Sequence, residues 1–187
     1  VDAYSRWAGR PYVILGSDKK SAVRSRFDLA HELGHIILHV HYEEKDRIKY
    51  HRQLEDEANR FASAFLMPFE TFSKDIDSIS IDSFVYLKPK WKVSIGAMIR
   101  RCYDLDLITE QQYSNLNKYL SIRKWRTKEP LDDTISFENP NMLKEAFELL
   151  MNNNILSVED ILREISLDYS ELENLCFLPN KYFEEKI

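Results

Sequence analysis

Apolar positions divide the chain into one β-type run followed by a succession of amphipathic helices. Pro11-Tyr12-Val13-Ile14-Leu15 is β-branched and aromatic and is closed by Gly16-Ser17, which predicts a strand. Downstream the apolar spacing becomes helical. Phe27, Leu29, Ala30, Leu33, Ile36, Ile37 and Val40 cover most of the circumference of a helix over 26–40, which predicts deep burial. Ser25-Arg26-Phe27-Asp28 offers it a Ser-x-x-Asp capping box. Residues 41–53, HYEEKDRIKYHRQ, are charged and lack an apolar period, so they predict an exposed loop. A second helix over 54–66 carries the stripe Leu54, Ala58, Phe61 and Phe65 and is stopped by Met67-Pro68. The run 79–87 is apolar enough to pack, but its pattern fits strand and helix equally.

Two more helices are predicted near 93–103 and, behind a capping box at Thr109–Gln112, up to about residue 122. The polar, proline-punctuated stretch from Glu129-Pro130 to Asn139-Pro140 predicts a linker. Short amphipathic helices follow near 141–151, 158–165 and 169–176, the middle one capped by Ser157 and Asp160. These elements predict an α+β, predominantly helical fold with a small β-sheet and a helical C-terminal extension. The expected organisation is one domain over 1–128 and an acidic helical region over 129–187.

Composition removes several classes. With 4 glycines and 6 prolines in 187 residues, a sandwich or barrel of many short strands is not expected. No apolar run approaches the length of a membrane-spanning helix, and VDAYSRWAGR lacks the apolar core of a signal peptide. Cys102 and Cys176 have no CxxC spacing and read as small core residues rather than a disulfide framework or zinc ribbon. A cytoplasmic protein without a membrane partner is expected.

The net charge of −5 averages unlike segments: −2 over 1–87, +7 over 88–128 and −10 over 129–187. A basic helix–turn–helix stretch admits a second class of function, a non-proteolytic regulatory or DNA-binding module. Against it, Ile95, Met98, Ile99, Leu105, Leu107, Ile108, Leu116 and Leu120 read as packing surface. The positive charge could equally meet the acidic 129–187 segment or an acidic stretch of a substrate, so direct DNA binding is the subordinate expectation.

All five histidines fall between residues 31 and 51. His31-Glu32-Leu33-Gly34-His35 is a His-Glu-x-x-His motif inside the predicted buried helix. Histidines four apart share a helix face, so both imidazoles can converge on one metal ion. Glu32 is rotated away from the ligand face yet stays close, which suits a general base acting on water that zinc has acidified. A third ligand is required. His41 has the outer spacing of the metzincin pattern, but Leu38 stands where that pattern has glycine. The competitor is Glu55-Asp56-Glu57: measured around the helix from Leu54, Glu57 lies about 60° away, Glu55 about 100° and Asp56 about 160°. Glu57 therefore has a modest lead.

Arg24-x-Arg26-Phe27-Asp28-Leu29-Ala30-His31-Glu32-Leu33-Gly34-His35, with Leu38-His39 after it, resembles the active-site helix of the ImmA/IrrE metallopeptidases. Glu57-Ala58-Asn59-Arg60-Phe61-Ala62-Ser63-Ala64-Phe65-Leu66-Met67-Pro68 resembles that family's second motif. Likeness continues less specifically through Trp91-Lys92-Val93-Ser94-Ile95 to Trp125-Arg126 and Glu129-Pro130, covering most of residues 10–130. The resemblance implies a zincin-like core, Zn2+ held by His31, His35 and Glu57, and Glu32 as general base. It further implies a cytoplasmic bacterial endopeptidase that cuts an XRE-type helix-turn-helix repressor and so relieves repression. Many relatives carry a DNA-binding domain ahead of the peptidase; residues before the strand at Tyr12 leave no room for one, and a first residue other than Met leaves open that the chain is a fragment. His39 is a candidate for supporting a ligand or the reaction intermediate. His51, Tyr50 and Tyr42 could contact substrate from the charged loop, and Arg101 resembles an arginine recurrent in the family.

Overall fold

The structure is a computed structural model that describes residues 3–16, 21–138, 140–165 and 167–184; Ser17 and Asn139, invoked above as turn and linker residues, lie outside the described residues. The chain divides into two compact units, 1–137 and 138–187.

The first unit opens with a hairpin of β1 (Ala3–Trp7) and β2 (Pro11–Leu15), antiparallel, with Ala3 opposite Leu15 and Trp7 opposite Pro11. The chain reverses at Gly9, whose φ of +74° lies in the left-handed region open to a residue without Cβ. Helix α1 (Ala22–His39) begins before the predicted Arg26, and the Ser25–Asp28 box is not its start. The reason is packing: Ala22 and Val23 are buried and draw the preceding turn onto the core. The N-cap residue is Ser21, whose hydroxyl donates to Asp132 Oδ1 rather than capping the helix.

The segment expected to be loop instead contains α2 (Glu44–Lys49), and α3 (His51–Leu66) starts ahead of the predicted Leu54. Helix α2 buries nothing, so it leaves no apolar period to read. It is favoured by acidic residues in its first turn and Arg47 and Lys49 in its last, which complement the helix dipole. Arg47 also donates to the carbonyls of His39 and Tyr42, both at 3.1 Å, and so ties α2 to the end of α1.

After α3 stops at Met67-Pro68 come α4 (Phe69–Phe72) and α5 (Ile81–Trp91), which settles the 79–87 ambiguity as helix. Ser80 caps α5 by accepting from the Ser83 amide. Helices α6 (Ile95–Asp104) and α7 (Glu110–Ile122) complete the unit, α7 with the reciprocal Thr109–Gln112 capping box expected for it. The core joins α3 through Ala62 and Leu66, with Met67 just beyond its end, to Phe72, Phe84, Ile95, Met98, Ile99, Leu116 and Leu120. The apolar positions of the basic segment are therefore core residues.

Residues 129–132 pack rather than link. Glu129 and Asp132 are buried against Lys88, whose ammonium donates to Glu129 Oε2 at 2.9 Å and Asp132 Oδ1 at 2.6 Å. Glu129 also accepts from the amides of Ile95 and Gly96 at the start of α6. The second unit contains α8 (Met142–Asn152), α9 (Val158–Glu164) and α10 (Tyr169–Leu175) around Phe147, Val158, Ile161, Leu172, Cys176 and Phe183. Both cysteines are buried, and burial pushes the Cys102 thiol up to about 12. Among the described residues, no helix is long and apolar enough to cross a membrane.

Candidate metal centre

Helices α1 and α3 meet at Gly34 and Ala58. A Cβ built on Gly34 would lie 3.2 Å from Ala58 Cα, 3.3 Å from its carbonyl oxygen and 3.1 Å from Phe61 Cδ1. Two of those neighbours are backbone and cannot rotate aside, so glycine is what lets the helices approach. Gly34→Ala is expected to destabilise the protein by about 1–3 kcal/mol through overpacking. It should also weaken metal retention by moving α3 away from His31 and His35; urea unfolding together with a zinc titration checks this, and unchanged values in both would show the contact to be slack.

Close approach brings three donors from the two helices together. His31 Nε2 and His35 Nε2 are 3.0 Å apart, and Glu55 places Oε2 at 3.3 Å from His31 and Oε1 at 3.3 Å from His35. Among the described residues, these three form one group whose potential ligand atoms all lie within 4.8 Å of one another. Tetrahedral zinc with bonds of roughly 2.0–2.1 Å holds its donors about 3.3 Å apart, so the observed spacings fit. Burial, followed by the neighbouring His31, lowers the pKa of His35, which favours the neutral imidazole that a metal needs. His31 Nδ1 lies 3.0 Å from Asn59 Oδ1. With Nε2 turned to a metal, Nδ1 carries the proton and donates to that amide oxygen.

The third member of this group is Glu55, whereas Glu57, favoured by the sequence, makes other contacts. Its Oε2 lies 3.0 Å from His39 Nε2, and its Oε1 accepts from Gln53 Nε2 at 2.8 Å. Hydrogen bonds from Gln53 and then His39 hold its pKa below the ordinary value. The physical reason for the difference is the face that α3 buries. Leu54, Ala58, Ala62 and Leu66 are buried, and from Leu54 they fall at about 0°, 40°, 80° and 120° around the helix. Glu55, at about 100°, lies inside that arc, while Glu57, at about 300°, lies outside it. Phe65, counted in the predicted stripe, is 58% exposed. A close crossing selects small side chains for the interface and leaves aromatic ones at its margin.

A cleft of about 360 Å³ lies in front of the donors, lined by Ala3, Phe27, Asp28, His31, Glu32, Glu55 and Asn59. Glu32 is buried at its wall and lies outside the donor group. His39 is also buried, with Nδ1 2.9 Å from His35 Nδ1. Tyr42 meets the His39 ring edge-on at 5.8 Å. His51 is exposed with Nε2 3.9 Å from Glu55 Oε1, and Tyr50 sits under Lys49 at the start of α3. His41 is exposed beyond the end of α1 and outside the donor group. Arg101 donates from Nε to the Met67 carbonyl at 3.0 Å, tying α6 to the end of α3.

Sequence reasoning assigned no role to Asn59 or Gln53, and it ranked Glu55, the carboxylate of the donor group, behind Glu57. The available signal was spacing: Glu55 and Asn59, four apart, share a helix face just as His31 and His35 do.

A comparison with curated proteins finds no match. The family model for the IrrE N-terminal-like domain, Peptidase_M78, matches residues 1–103, from the hairpin through nearly all of α6. Both histidines, Glu32, Glu55 and the residues that orient them lie inside that span, and by it the chain belongs to the ImmA/IrrE family of metallopeptidases.

Proposed function

We propose that the protein is a zinc-dependent endopeptidase with a zincin-like core, acting in the cytoplasm on an XRE-type helix-turn-helix repressor to relieve repression. The observation that carries this reading is the convergence of His31, His35 and Glu55 at donor spacings suited to tetrahedral zinc. These three would hold the ion. When bound, zinc polarises a carbonyl and acidifies water. Glu32 stands at the cleft wall to take a proton from the attacking water and deliver it to the amide nitrogen as the C–N bond breaks. Asn59 fixes the ring of His31, and Ala3 brings the β1 end of the hairpin to the mouth of the cleft.

The test is incubation of the zinc-loaded chain with an XRE-type repressor encoded beside it, followed by mass spectrometry of the fragments. A discrete cut is expected that stops on chelation, returns with zinc and is lost, together with the ion, in Glu55→Ala. A wild-type chain that cannot be loaded with zinc, or a loaded chain that leaves the repressor intact, overturns the corresponding half of the proposal.

A further inference from the structure

We infer that Glu57 and His39 form a hydrogen-bonded relay that sets the tautomer of His35, making them positioning residues for the metal centre rather than ligands. The inference rests on the reading above that His35 binds through Nε2. The chain of contacts is continuous: Gln53 Nε2 to Glu57 Oε1 at 2.8 Å, Glu57 Oε2 to His39 Nε2 at 3.0 Å, and His39 Nδ1 to His35 Nδ1 at 2.9 Å.

Its direction follows from what each group can do. A carboxylate only accepts hydrogen bonds, so His39 must carry its proton on Nε2. A His39 that carries one ring proton then has a bare Nδ1, which can only accept from His35 Nδ1–H. With that proton fixed on Nδ1, the lone pair of His35 is left on Nε2, the atom facing His31 and Glu55. Reversing either bond would place a proton on His35 Nε2 and close it to a metal. His31 needs only the amide of Asn59 for the same purpose. His35 receives a buried imidazole that is itself held by a carboxylate.

The two carboxylates of α3 therefore have different tasks and separate experimentally. Glu57 is partly exposed, with 38% of its side chain accessible, so its variants should fold. The experiment measures zinc affinity by chelator competition, the Co2+ visible spectrum, and the His35 tautomer by 15N NMR of the metal-free protein. In the wild type the metal-free His35 should be the Nδ1–H tautomer. Glu57→Ala should shift it toward a mixture, weaken zinc binding about 10–100-fold and leave the Co2+ spectrum unchanged in shape. Glu57→Gln, which keeps an acceptor oxygen but can also donate, should fall between the two. His39→Ala combined with Glu57→Ala should cost little more than either alone, because both break one relay.

Wild-type zinc affinity and an unshifted His35 tautomer in Glu57→Ala would overturn the relay. Loss of the ion with a changed Co2+ spectrum, as expected for Glu55→Ala, would also overturn it by making Glu57 a ligand. A wild-type chain that takes no zinc defeats the reading under Proposed function, while the metal-free tautomer still decides the relay.

Discussion

Glu32→Gln is expected to keep the zinc and to lower the rate of peptide hydrolysis by about 10²–10⁴-fold, the usual contribution of a positioned general base. Glutamine matches glutamate in size and still offers an acceptor oxygen, so the cleft and the orientation of water should survive. What it cannot do is hold the proton. Glu32 lies on α1 beside His31, lines the same cleft, and is separate from the group His31, His35 and Glu55. Zinc stoichiometry should therefore match the wild type, and single-turnover cleavage should carry the whole effect. Glu32→Asp keeps the acid but withdraws it by one methylene and should retain part of the rate. If the glutamine variant cuts at the wild-type rate, Glu32 is not the base; if it loses zinc, Glu32 is a ligand.

The part of this site that was legible in the sequence is the part written within one helix. His31 and His35 share a face because they are four apart, and that geometry holds wherever the helix forms. The choice between Glu55 and Glu57 depends on how a second helix is rotated against the first. Rotation is set by the contact between helices: Gly34 against Ala58 brings the backbones close, Ala62 continues the small-residue seam, Phe61 packs at its edge against Gly34, and Phe65 is left exposed. A hydrophobic stripe weighted by the aromatic residues is centred nearer to Glu57 than the buried stripe Leu54, Ala58, Ala62 and Leu66 is. The same limit explains α2, which pays no attention to apolar period because its charges stabilise it in solvent. It also explains β1, whose partner is supplied by the following strand.

Lys88 shows the limit at its strongest, since buried charge in a polar stretch is indistinguishable from a solvated linker until the partners are seen. Lys88→Met is expected to cost about 3–5 kcal/mol, because it leaves Glu129 and Asp132 buried without their cation. The triple variant Lys88→Met, Glu129→Gln, Asp132→Asn should recover much of that loss, since a neutral hydrogen-bonded cluster avoids the unpaired charge. The pH dependence gives an independent check. Burial alone would raise the Asp132 carboxyl, but hydrogen bonds from Lys88 and the Glu129 amide outweigh it and the pKa is lowered. A carboxyl depressed on folding stabilises the wild type fully above its unfolded pKa of about 3.9, and that contribution is lost as pH falls through the folded value. In Lys88→Met the sign reverses: the uncompensated carboxylates favour protonation, so acid relieves part of the strain. The stability difference between the two proteins should narrow as pH falls from 7 toward 4. Urea unfolding across that range measures it, and a deficit below about 1 kcal/mol at pH 7, the scale of an exposed pair, would mean the three charges act as surface groups.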